Sequence, residues 1–167
     1  ATIVRYGDQI DSSLNTPKLA IYRRVRGHFL FSQLVDAEQA NIGYGSAISV
    51  SDNGEYITVG APKFSRDYNN QGAVYVYQSV NGVFELVQTL TGPKGLPNEK
   101  FGSNTVYNND RLIIQSAGGD LTSTTSFDEA STVFDNGTTL FTAQLTDTGE
   151  VFAYELQGNR FVYGDKL

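Results

Sequence analysis

The sequence predicts an all-β protein of four-stranded antiparallel sheets, and three observations predict it. Turn signals such as Asp52-Asn53-Gly54 and Asn81-Gly82 separate short runs rich in β-branched and aromatic residues, the pattern of hairpins. Ten Tyr, ten Phe and seventeen Gly in 167 residues lean the same way, because rings fill pleated surfaces and glycine serves tight turns. Finally, the chain repeats itself at intervals long enough for several strands.

The complete unit runs from Tyr44 to Leu90. Ser46 to Ser51 is expected as its first strand and Glu55 to Gly60 as its second, joined by the Asp52-Asn53-Gly54 turn. Ala61-Pro62 opens a polar loop; Gly72 to Gln78 and Val83 to Leu90 then form a hairpin about Asn81-Gly82. That hairpin is written three times, at 19–35, 73–90 and 151–167. Tyr22, Tyr77 and Tyr154 anchor the alignment; the turn glycines Gly27, Gly82 and Gly158 follow, then Phe29, Phe84 and Phe161, then Val35, Leu90 and Leu167. The preceding hairpin recurs as well, Tyr44-Gly45-Ser46 matching Phe101-Gly102-Ser103 and Gly60-Ala61 matching Ser116-Ala117. Thr2 to Gly7 reads as the second strand of an earlier unit.

The strand inventory is therefore three, four and four, divided as 1–35, 36–91 and 92–167, the last carrying an insertion at 118–148. Units of this length with four strands each predict the blades of a β-propeller. The runs LAIY, VYVY and VFAY are apolar on both faces, as a sheet sandwiched between neighbours requires. Val83 to Leu90 alternates in part, as an outer strand should.

Composition narrows the function classes. A net charge of -6 opposes a nucleic-acid groove, which needs a dominant positive field. No apolar run reaches the roughly 18 residues of a membrane-spanning helix, and the residues from Ala1 are not expected to act as a signal peptide. Cysteine is absent, which removes disulfides, thiolate metal sites and cysteine nucleophiles. Methionine is absent too, so the expectation is a processed product or a piece of something longer.

Tyr44-Gly45, Gly60-Ala61-Pro62 and Gly72-Ala73-Val74-Tyr75-Val76-Tyr77 together resemble an FG-GAP repeat, the blade unit of integrin-α-type propellers that also occurs in bacterial surface proteins and large phage structural proteins. The second copy, with Phe101-Gly102, Ser116-Ala117-Gly118 and Gly149 to Tyr154, keeps the FG and degrades the GAP. The resemblance covers about residues 2–167 and implies fold more than function. It also implies partners. Propellers close with roughly four to eight blades, so just under three calls for remaining blades or neighbouring subunits to cover the apolar end faces. The family's Asp-rich calcium loop between the FG and GAP strands is reduced here to Ser51-Asp52-Asn53-Gly54-Glu55, too few oxygen ligands for a six- to eight-coordinate shell. No cofactor is expected.

Each candidate for chemistry has a bland counterpart. Asp67-x-Asn69-x-Gln71-Gly72 spaces oxygens as a cation loop does, but its single carboxylate favours a polar crossover with local hydrogen bonds. Ser51 to Tyr56 faintly resembles the Asp-box of sialidase-type propellers, with the spacing wrong and the tryptophan missing; a hairpin turn is the preferred reading. His28, the sole histidine, occupies a hairpin slot filled elsewhere by Val83 and Arg160, which argues against catalysis. Arg23, Arg24, Arg26 and His28 form the one basic cluster, read as a solvated hairpin over an anion-binding patch. Among the acids, Asp36/Glu38, Asp128/Glu129 and Asp147/Glu150 are expected in loops and nothing singles out a hydrolytic pair.

The insertion is the most distinctive stretch, with a small hairpin expected about Asp135-Asn136-Gly137 and a glycosylation sequon at Asn136-Gly137-Thr138. By resemblance it shares the ligand face with the loop from Lys63 to Gln71. The candidate contact residues are Lys63, Arg66, Asp67, Tyr68 and Asn69 with Phe127, Asp128 and Asn136. The expected function is a non-enzymatic structural or adhesion module presenting loops to a protein or glycan, outside the cell, at its surface or in a virion. The alternatives are a glycan hydrolase using a carboxylate pair and a purely architectural assembly piece.

Overall fold

The computed structural model describes residues 2–5, 16–40, 42–108, 111–118 and 149–166. Strands are the only regular elements among them, arranged as three antiparallel sheets in each of which the chain runs up and down in sequence order. The first sheet holds β1 (Thr2–Arg5), β2 (Lys18–Val25) and β3 (His28–Asp36). The second holds β4 (Ile48–Val50), β5 (Tyr56–Ala61), β6 (Ala73–Val80) and β7 (Val83–Leu90). The third holds β8 (Phe101–Asn108), β9 (Arg111–Ser116), β10 (Glu150–Gln157) and β11 (Arg160–Lys166). The expected strand at Ser46 to Ser51 shortens to Ile48–Val50 because Gly43 to Ser46 closes a turn, Ser46 N donating to Gly43 O at 3.0 Å.

The three repeated hairpins fold alike in detail. β2–β3 and β6–β7 turn on Arg26-Gly27 and Asn81-Gly82, with positive φ at both central residues; β10–β11 turns on Gly158-Asn159. A bulge interrupts each pairing at the anchor tyrosine: between Ile21 and Tyr22, between Val76 and Tyr77, and between Ala153 and Tyr154. The extra residues, by register, are Ser32, Val87 and Gly164.

The sheets stack face to face. Leu19, Ile21 and Val35 of the first pack on Ile57, Val59, Tyr75, Tyr77 and Phe84 of the second. The opposite face of the second, with Tyr56, Val74 and Val76, packs on Phe101, Tyr107, Phe152, Tyr154 and Phe161 of the third. Each interface thus sets a largely aliphatic face against an aromatic one, and Tyr56, Tyr107 and Phe161 meet with ring centroids 5.6–6.0 Å apart, a spacing at which rings attract beyond their buried area. Val74, Tyr75, Val76 and Tyr77 are all buried, so the run apolar on both faces is one of the middle sheet's two central strands.

A side-chain clamp joins the sheets at their outer strands. Gln33 Nε2 donates to Phe84 O and Phe84 N donates to Gln33 Oε1, both at 2.8 Å. One interface on, Gln88 Nε2 donates to Phe161 O at 2.9 Å and Phe161 N donates to Gln88 Oε1 at 2.8 Å. Gln33 pairs with Ile21 and Gln88 with Val76, the same register position in successive hairpins.

At the other edge the backbones touch. A Cβ on Gly60 would collide with the carbonyl of Gly102, and one on Gly72 with the backbone of Phe101. Gly72 and Phe101 form an isolated parallel bridge, Phe101 N donating to Gln71 O at 3.0 Å. Gly60 and Gly72 of one unit thus meet Phe101-Gly102 of the next so closely that no side chain fits at either glycine.

The basic cluster is exposed along its hairpin, as the solvated reading expects, and strand alternation divides it. Arg23 faces the second sheet and donates to Gly82 O, whereas Arg24 lies on the opposite face and Arg26 in the turn. Asp36 and Glu150 are corrected from loops to strand ends, and Asp36 forms an ion pair with Lys18.

Candidate functional site

The loop from Lys63 to Gln71 is built by its own polar residues over one aromatic anchor. Phe64 is buried edge-on against Tyr75, ring centroids 6.3 Å apart. Buried Gln71 turns its side chain inward, where Oε1 accepts from Asp67 N at 3.0 Å and Tyr68 N at 2.8 Å. Asn70, at φ 48°, receives support from Ser65 Oγ, which accepts from its backbone N at 2.9 Å. These bonds leave Lys63, Arg66, Asp67, Tyr68 and Asn69 exposed, with Arg66 Nε 3.1 Å from Asp67 Oδ2.

The crossover from Thr91 to Lys100, linking the second sheet to the third, lies along this loop. Asn98 N and Lys100 N donate to Asn69 O and Asn70 O at 2.8 and 2.9 Å, and Asn70 Nδ2 donates to Asn98 Oδ1 at 3.1 Å. Its far side meets the roots of the insertion: Gly118 N donates to Glu99 O at 3.0 Å, and Lys94 Nζ is 2.6 Å from Glu150 Oε1. The crossover therefore lies between Lys63–Gln71 and residues 118 and 149, where the insertion leaves and returns. Phe127, Asp128, Asn136 and the expected hairpin lie outside the described residues.

The motif residues fall at the same end. Tyr44 and Gly45 precede β4, and Gly60-Ala61-Pro62 closes β5; Gly72 enters β6, Phe101-Gly102 opens β8 and Gly149 enters β10. Tyr44 and Tyr77 share a hydrogen bond, OH to OH, at 2.7 Å. Burial first, then the charges and bond of neighbouring tyrosines, raises the Tyr44 pKa far above that of a free phenol. The Tyr75 hydroxyl is buried with no protein partner among the described residues, and burial pushes it up to about 12.

One residue escaped the sequence reading. Glu99 is 1% exposed, its Oε2 accepting from Leu96 N at 3.1 Å while Oε1 has no partner among the described residues. It occupies the slot of buried Ile42 in the preceding unit, three residues before Gly102 as Ile42 is before Gly45. Burial raises its pKa; the Leu96 N–H opposes that, the Glu150 charge adds to it, and Lys94 opposes it again. The signal available was an acid in a repeat position otherwise apolar.

His28 is exposed beside its turn and Arg111 pairs with Glu155 at 3.2 Å in the open. No three acids or histidines converge as a metal site among the described residues. No helix among them is long and apolar enough to cross a membrane. No protein-family model matches the chain, and no curated protein matches it either.

Proposed function

We propose that the chain is an arc of an FG-GAP-type β-propeller serving as a non-enzymatic structural or adhesion platform. Its loops at the motif end meet a protein or glycan at a cell or virion surface, with no cofactor. The observation that carries this reading is the wedge between successive sheets. At the edge of β4, β5 and β8 the backbones meet through Gly60 and Gly102, whereas β7 and β11 are bridged by the Gln88 side chain. Backbone contact on one side and a side-chain bridge on the other fit sheets that fan about an axis, as the blades of a propeller do. The exposed row from Lys63 to Asn69, mounted on the buried Phe64 and Gln71, supplies a positioned contact surface on a rigid frame.

One observation favours a glycan hydrolase instead, the buried Glu99 with its raised pKa, since a general acid is tuned that way. At 1% exposure it does not reach a glycosidic oxygen. Passing the purified chain over arrayed glycans and extracellular proteins separates the two readings. Binding lost in Arg66→Ala/Tyr68→Ala and kept in Arg111→Ala is the expected result. Glycan turnover abolished by a single carboxylate substitution overturns the platform.

A further inference from the structure

We propose that Asn81-Gly82 is a site of spontaneous rearrangement to aspartate and isoaspartate, promoted by Arg23 of the neighbouring sheet, and that it gives the Arg23 contact a chemical lifetime. The sequence holds three Asn-Gly pairs, at 53–54, 81–82 and 136–137, and the first two lie among the described residues. In such a pair the glycine nitrogen can attack Cγ of the asparagine, because no side chain on the glycine blocks its approach. The glycine N–H gives its proton to hydroxide and the N–Cγ bond forms. The Cγ–Nδ2 bond breaks as ammonia leaves with a proton from water, which restores the hydroxide. One water molecule then opens the cyclic imide; attack at Cγ leaves aspartate, and attack at the main-chain carbonyl leaves isoaspartate.

The fold treats the two pairs oppositely. At Asn53-Gly54 both reacting groups are occupied. Gly54 N donates to Ser51 O at 2.8 Å. Asn53 Oδ1 accepts from Ser51 Oγ at 2.7 Å and from Glu55 N at 3.0 Å, and its Nδ2 donates to Glu55 Oε2 at 2.9 Å. At Asn81-Gly82 both are free. Asn81 is exposed between β6 and β7, and neither its side chain nor Gly82 N has a hydrogen-bond partner among the described residues. What the neighbouring sheet brings to this turn is a cation. Arg23 donates to Gly82 O, and a Cβ on Gly82 would lie 2.9 Å from Arg23 Nη2. A positive charge there favours the amide anion that attacks. It also meets the product, because a carboxylate at 81 competes with Gly82 O for the same guanidinium. Isoaspartate further adds a methylene to a two-residue turn whose length sets the β6–β7 register.

Peptide mapping of the folded full chain, held at mildly alkaline pH, reads both sites by elution and mass. Asn53 and Gly54 must first give up their hydrogen bonds, each of modest net value, so Asn81 is expected to convert about tenfold or more faster than Asn53. In concentrated urea the two rates should converge. Arg23→Gln should slow Asn81 by about twofold to fivefold, the size of an exposed charge interaction, and Arg23→Lys should restore most of the rate. Added salt should slow the wild type likewise and leave Arg23→Gln unaffected. Chains converted at Asn81 alone should melt below unconverted ones. Asn53 converting as fast as Asn81 in the folded chain would overturn the proposal. So would a gap that persists in urea, a rate indifferent to Arg23→Gln, or converted chains that melt with the unconverted.

Discussion

Gly45 and Gly102 form a matched pair that isolates the energy of the backbone seam. Each follows an aromatic residue at the corresponding place of its repeat and both sit at φ 84°, so an alanine at either incurs the same left-handed penalty, about 1–2 kcal/mol. Their surroundings differ. A Cβ on Gly45 would find only Ile48 Cδ1 at 3.9 Å, ordinary contact, whereas one on Gly102 would strike the Ala73 carbonyl and lie 2.9 Å from Val74 Cγ2. Relieving that collision means separating the second and third sheets, an overpacking cost of about 1–3 kcal/mol. Gly45→Ala should therefore lose about 1–2 kcal/mol and Gly102→Ala about 2–5. Urea melts followed by tyrosine fluorescence, the chain having ten Tyr and no Trp, measure the difference. At about 2–4 °C per kcal/mol for a domain of this size, thermal melts should show the same order. Equal losses at the two sites would refute the claim that backbone contact sets the spacing of the sheets.

Three further outcomes follow from the geometry. Gln88→Ala should cost about 1–2 kcal/mol, two hydrogen bonds at a modest net value each; an unchanged urea midpoint would mean the clamp is replaced by water without loss. Glu99→Gln should gain stability on the wild type as pH rises. A carboxyl whose folded pKa is raised contributes most below the ordinary carboxylate range and loses that contribution through the higher folded value, so melts from acid to neutral pH should show the two curves diverging. Arg26 sits at φ 48° where the equivalent residue is Asn81 at φ 50°; Arg26→Asn should raise stability by about 0.5–1 kcal/mol in the same assay.

Strand identities and the three-four-four inventory were legible because turn chemistry is local: Asn81-Gly82 and Asp52-Asn53-Gly54 announce themselves without knowledge of neighbours. The clamp was legible in principle, since Gln33 and Gln88 follow Tyr22 and Tyr77 at one spacing, but polar residues on an outer strand read as solvated until a second sheet is laid beside them. Glu99 was hidden for the opposite reason. Acids in loops are expected, and only the burial of Ile42 in the equivalent place makes this one unusual. The candidate contact loop was found by position between strands, while the inward turn of Gln71 depends on bonds that no spacing rule contains.

The recurrent bulge has a consequence for parity. Phe29 and Phe31 point one way along β3, and a strand without interruption would send residue 33 the same way. Ser32 intervenes, and Gln33 emerges on the opposite side with Ile21. A single outer strand such as β7 therefore accepts Gln33 at Phe84 on one face and sends Gln88 out from the other, which gives the three stacked sheets a direction. Deleting Ser32 or Val87 would swing the glutamine back among the rings and unclasp that sheet from the next.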